Sequence, residues 1–151
     1  LVMMVGRGSQ EICENLDLKP ISEQDVWLVG ARDIDPLENV ALEASLVNRA
    51  TLDVLASLSV ERPVHLHLDN DVLDAAEVPA NNYPVSGGPS SSELIAACAK
   101  FIMANNVVAI YFSGWNSRLE GADRTGKICA KVLQALVADF LNLLNFLHLN
   151  A

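Results

Sequence analysis

The sequence predicts an α/β fold in which helices cover both faces of a parallel sheet, giving three αβα layers. Three observations carry this. Short apolar runs rich in β-formers alternate with helical patterns. The runs are too apolar for strands with one wet face. The chain has 151 residues, 51% hydrophobic and 19% charged, which is enough for one soluble globular domain with a core.

The strands are expected at Val26–Gly30, Val64–Asp69 and Val107–Phe112, each bounded by turn formers. Between the first two, Leu42, Leu46, Leu52, Leu55 and Leu58 recur at helical spacing, which predicts one helix over Glu38–Leu58. A second helix is expected to open at Ser92-Glu93, with Ser90 to Ser92 as possible caps, and to run to about Asn105. A third is expected from Thr125 to about Leu147. This alternation predicts βαβ units in a doubly wound sheet. Three strands make a thin sheet, so one edge needs cover from further sequence or from another chain. The chain opens on Leu1 rather than Met, and it is expected to begin inside a longer reading frame.

The formal net charge is −9, which excludes a basic nucleic-acid footprint. Val132 to Leu149 is apolar but carries Asp139, Asn142, Asn145 and His148, so it reads as a packed helix and not a membrane span. Cys13, Cys98 and Cys129 are odd in number and lack a Cys-x-x-Cys spacing. They are expected to be reduced thiols in a cytoplasmic protein.

Ligands of open α/β sheets collect outside the carboxyl ends of the strands. That rule selects Ala31–Pro36, Asp69–Asp74 and Ser113–Asn116. Asp69, Asp71 and Asp74 crowd one strand end, where carboxylates repel one another unless a cation is present. If the strand stays regular, Asp69 and Asp71 share a face, and their hard oxygens suit Mg²⁺ or Mn²⁺. The competing reading is a solvated acidic turn, or one Asp capping the next element. His65 and His67 also share a face; they are expected as hydrogen-bonded core histidines, too deep to be ligands. Arg32-Asp33-Ile34-Asp35-Pro36 is explained equally by an Arg–Asp pair and a proline-led helix start. The Pro-, Gly- and Asn-rich loop Val78–Gly88 is long enough to be functional.

Taken in order, these segments resemble the arginase, agmatinase and formiminoglutamase family. "VWLVGARDIDPLE" (residues 26–38) is similar to a family strand ending in Gly-x-Arg-Asp-x-Asp-Pro. "HLHLDNDVLDAAEVPANNYPVSGG" (65–88) resembles the signature Asp-x-Asp-x-x-Asp followed by a Pro-rich loop ending in Gly-Gly. "YFSGWNSRLEGADRTGKICAKVL" (111–133) resembles the last strand, an Asn-Pro-x-Leu-Asp segment and the closing helix. The resemblance implies that residues 1–151 are the C-terminal part of a single arginase-like domain, with N-terminal strands lying upstream.

It further implies hydrolysis of a linear guanidino or amidino C–N bond with two Mn²⁺ ions, a small-molecule substrate and a homo-oligomer. Asp69 matches the carboxylate shared by both ions and Asp71 a ligand of one. Asp74 matches a structural hydrogen-bond acceptor. Asp35 and Asn82 match positions on the substrate side.

Two departures stand out. The family's upstream Asp-x-His-x-Asp and Gly-Gly-Asp-His motifs do not occur in these residues, so residues 1–151 by themselves are expected to bind metal poorly and to be inactive. Gly114 falls where the family places a guanidinium-binding Glu, a charge-assisted contact of about 1.5–3 kcal/mol. The resemblance therefore implies a substrate other than arginine, or else a catalytically inactive domain used for binding or assembly. A receiver-type Mg²⁺ domain would need a Lys after a later strand. Ser113 is present there and no such Lys follows it.

Overall fold

The computed structural model describes residues 1–9 and 11–149; the side chains of Ile12 and of 143–149, His148 among them, lie outside that description. The chain divides into two compact units, Leu1–Ala50 and Thr51–Ala151.

In the first unit, α1 (Glu11–Asn15) is followed by β1 (Trp27–Val29), α2 (Pro36–Glu43) and β2 (Asn48–Ala50). β1 and β2 pair in parallel, so β1–α2–β2 is a small βαβ unit. Asp35 caps α2, its Oδ1 accepting from the Leu37 N–H at 2.8 Å, and Pro36 occupies the first helical turn. Arg7 and Glu23 form an ion pair, and the Glu23 carboxyl lies below its ordinary range because Arg7 donates to it.

The single helix expected over Glu38–Leu58 is corrected here. Helix α2 stops at Glu43, and Ser45 Oγ donates to the Leu42 carbonyl at 2.7 Å, closing a turn. The next residues are drawn into β2. Asn48 N–H donates to the Val26 carbonyl at 2.9 Å, and Asn48 Nδ2 reaches the carbonyls of Gln24 and Val26. Backbone pairing outweighs the helical spacing of the leucines: Leu42 ends up in α2, Leu52 and Leu55 in a later short helix, and Leu46 and Leu58 in neither.

In the second unit, α3 (Leu52–Leu55) leads to β3 (Val64–Asp69), α4 (Ser91–Ala104), β4 (Val107–Ser113) and α5 (Ala122–Leu149). β3 and β4 pair in parallel with a bulge near Val64, after which His67 faces Tyr111 and Asp69 faces Ser113. The described strands are thus four, in two parallel pairs, where the sequence predicts three.

α4 opens with a capping box. Ser90 Oγ accepts from Glu93 N–H, while the Glu93 carboxylate accepts from Ser90 N–H at 2.8 Å. The Ser90 N–H and hydroxyl, both donating to it, hold the Glu93 carboxyl below its ordinary range. Glu77 adds a second anchor, accepting from Ser91 N–H at 2.7 Å and Ser91 Oγ at 2.6 Å. Leu94, Cys98 and Ile102 of α4, and Val132 and Leu136 of α5, are buried side chains of the α4–α5 layer. α5 begins three residues before the expected Thr125, which is itself buried. No helix among the described residues is long and apolar enough to cross a membrane.

β3 is not covered on both faces. Leu66 and Leu68 are buried, while His65 and His67 are exposed, so the expectation of core histidines is corrected. His-Leu-His-Leu is a period-2 pattern, and it reports a strand with one apolar face.

Burial pushes the Cys98 thiol up from 9.0 to about 12. The folded state favours the neutral thiol, and the unfolded state ionises first as pH rises. This contribution is therefore intact below about pH 9 and is lost between about pH 9 and 12, at about 1.4 kcal/mol per unit. Urea titrations at about pH 8 and 10.5 are expected to show a fall in stability that Cys98→Ala reduces; an equal fall in both proteins contradicts it.

Candidate metal and substrate site

β3 ends at Asp69, and the backbone turns at once into a 3-10 turn, Asn70–Val72. The regular-strand geometry that would put Asp69 and Asp71 on one face therefore does not apply. Asp69 lies on the strand and Asp71 in the turn. Asp69 Oδ1 accepts from the Asp71 N–H at 3.3 Å, so the carboxylate caps the turn. Its Oδ2 accepts from Ser113 Oγ at 3.1 Å. Each oxygen takes one hydrogen bond and keeps acceptor capacity.

Asp74 has the structural role expected of it. Oδ1 accepts from Ala76 N–H at 2.8 Å, and Oδ2 from Gly87 N–H at 2.7 Å. This carboxylate ties the far end of the Pro-rich loop back to the strand end. Gly88 lies so close to the turn that a Cβ there would sit 2.5 Å from the Val72 carbonyl oxygen, which accounts for the small residue at the loop's end.

The same loop packs beside the end of β4. Asn116 N–H donates to the Ala80 carbonyl at 3.1 Å, and Asn116 Nδ2 donates to Asn82 Oδ1 at 2.7 Å. Ala80 N–H donates to the buried Thr125 Oγ1 at 3.1 Å, fixing the loop to α5. Beneath them, Asn81 Nδ2 donates to Asn70 Oδ1, and Asn70 Nδ2 approaches Cys129 Sγ at 3.7 Å. Burial raises the Cys129 thiol, and the Asn70 contact partly offsets it. Asn70 and Asn81 are both buried, so this amide pair satisfies groups that water cannot reach.

Gly114 closes the site. Its φ is +90°, and a Cβ would fall 2.1 Å from Asp69 Oδ1, 2.6 Å from Asn70 Oδ1 and 3.1 Å from Asn81 Nδ2. The backbone occupies the space that a side chain would need, so a Glu does not fit here in this conformation.

The structure thus brings Asp69 and Asp71 together at one turn, with Asn82 in the adjoining loop. Asp35 belongs to the first unit, where it caps α2. Asn70, Asn81, Ser113 and Thr125 also join the site. Asn70 and Ser113 lie in strand-end segments that the sequence selects, whereas nothing local in the sequence points to the contacts of Asn81 and Thr125.

The donor chemistry fits a hard divalent cation in part. Asp69 and Asp71 offer carboxylate oxygens, yet among the described residues no group of three or more His, Cys, Asp or Glu is placed to hold an ion. Among the described residues the two carboxylates do not make up such a group.

Known proteins resemble the chain in sequence and in fold. The sequence profile of the Arginase family matches residues 11–138. The hepatic arginase of Aquarana catesbeiana is 34% identical over 83 residues, covering 45% of this chain and 26% of that protein. The arginase of Bacillus subtilis strain 168 is 26% identical over 151 residues, covering 91% of this chain and 51% of that protein. A crystal structure of arginase from Bacillus subtilis superposes with a TM-score of 0.80 at 26% identity, over 89% of this chain and 53% of that one. The chain spans about half the length, or less, of the curated relatives it matches. The expected fold class is therefore that of its structural neighbours, and by sequence profile and fold together the chain belongs to the arginase family.

Proposed function

We propose that residues 1–151 form the C-terminal part of one arginase-like domain in a metal-dependent hydrolase of a linear amidine or guanidine C–N bond. The observation that carries this reading is the Asp69-Asn70-Asp71 turn at the mouth of the β3–β4 pair, in a chain of this family. Two Mn²⁺ ions, when bound, would supply activation of water at neutral pH. Asp69 and Asp71 provide two carboxylate ligands of that site; residues outside this chain provide the rest. Asn82, held by Asn116, contributes on the substrate side. The reading extends to a homo-oligomer in the cytoplasm, supported by the family resemblance and by the free thiols.

The substrate is a small guanidino or amidino compound other than arginine. Gly114 has no side chain to pair with a guanidinium, and the neighbouring oxygens leave no room to add one. A second reading, a catalytically inactive domain used for binding or assembly, is favoured by one observation. Asp69 already caps a turn, and no third ligand joins the pair among the described residues.

The test is hydrolysis by the Mn²⁺-loaded full-length protein, offered arginine, agmatine and formiminoglutamate. Turnover of an amidino or guanidino substrate other than arginine is expected, and Asp71→Asn is expected to lower it by more than about 100-fold. Turnover unchanged in Asp71→Asn contradicts the ligand assignment. No turnover of any such compound favours the inactive domain.

A further inference from the structure

Asp69 is held by a hydrogen-bonded chain that the proposed reaction does not require. The register of β3 and β4 sets Asp69 opposite Ser113 and His67 opposite Tyr111. Ser113 Oγ lies 3.1 Å from Asp69 Oδ2 and 2.9 Å from His67 Nε2. An ionised carboxylate only accepts, and a hydroxyl has one proton to give. Ser113 therefore donates to Asp69, and its oxygen accepts from His67 Nε2–H. The imidazole is steadied in turn by Tyr111, with ring centroids 5.0 Å apart and planes at 56°.

We propose that Ser113 and His67 are positioning residues for the Asp69 carboxylate. Ser113 fixes one oxygen, the Asp71 N–H fixes the other, and His67 fixes Ser113. With both oxygens restrained, the side chain stays in one rotamer and presents its remaining lone pairs in one orientation. The free energy of ordering a metal ligand is then met on folding, before any ion arrives. The consequence for metal affinity rests on Asp69 being a ligand, as proposed above; the positioning itself does not.

The experiment uses the full-length protein and its Ser113→Ala, Ser113→Thr and His67→Phe variants. Three-bond couplings across the Asp69 Cα–Cβ bond, measured by NMR without metal, read the rotamer directly. A single rotamer is expected in the parent and in Ser113→Thr, which keeps the hydroxyl. Averaged couplings are expected in Ser113→Ala and, to a lesser degree, in His67→Phe, which keeps a ring beside Tyr111. Mn²⁺ titration then reads the consequence: a loss of about 10- to 100-fold in affinity for Ser113→Ala, restored in Ser113→Thr.

A single Asp69 rotamer in Ser113→Ala overturns the proposal. If that variant does not fold, a single rotamer in His67→Phe, whose side chain is exposed in the parent, overturns it instead. Averaged rotamers together with no Mn²⁺ binding by the parent support the positioning roles and refute Asp69 as a metal ligand, so the two failures are distinct.

Discussion

Gly114→Ala is expected to destabilise the protein by about 2–5 kcal/mol, with a matching fall in the urea midpoint. Two costs combine. A non-glycine residue at φ +90° costs about 1–2 kcal/mol. The methyl also lands within 2.6 Å of both Asp69 Oδ1 and Asn70 Oδ1. Asn70 is buried and bonded to Asn81, so moving it leaves buried amide groups unpaired, at about 1–3 kcal/mol. Gly114→Glu carries the same costs and is expected not to confer arginine hydrolysis. An alanine variant within about 0.5 kcal/mol of the parent contradicts the close approach.

Leu73→Ala is expected to cost about 2–5 kcal/mol, the range for emptying a buried leucine site. Leu73 is fully buried directly after the 3-10 turn, and its N–H donates to the Asn70 carbonyl at 3.1 Å. Gly88 packs against its backbone, a Cβ there falling 2.6 Å from the Leu73 carbonyl carbon. The cavity thus opens under the turn that carries Asp71, and divalent-cation affinity is expected to fall along with stability. Leu37→Ala is the control: Leu37 is 82% exposed, and a change within about 0.5 kcal/mol is expected. Equal effects from both substitutions in urea denaturation contradict the burial assigned to Leu73.

The elements readable from sequence were those whose cause is local. Ser90 and Glu93 form their capping box within four residues, and α4 begins there. The β3 run and the three aspartates after it also stand together in sequence. β2 was not readable, because Asn48-Arg49-Ala50 has no β-forming side chain and becomes a strand only by pairing with β1. The exposure of His65 and His67 is written in the His-Leu-His-Leu alternation of β3, which the apolar character of the whole run obscures.

The site divides the same way. The crowding of Asp69, Asp71 and Asp74 is legible in the sequence, and only the family resemblance gives the first two a ligand role and the third a structural one. The Asn70–Asn81 pair spans a loop and the Ser113–Asp69 contact spans two strands, so each needs the fold before it exists. In the sequence Gly114 shows only as a missing carboxylate. Its reason, two oxygens lying where a Cβ would be, is visible only in space.

The most direct test of Asp69 and Asp71 as partners in holding a cation is Mn²⁺ retention by the full-length protein after exhaustive dialysis, read by electron paramagnetic resonance. The parent protein is expected to retain bound Mn²⁺, and Asp69→Asn and Asp71→Asn are each expected to lose it while remaining folded. Retention that survives both substitutions, or no retention by the folded parent, would contradict a metal centre at the end of β3.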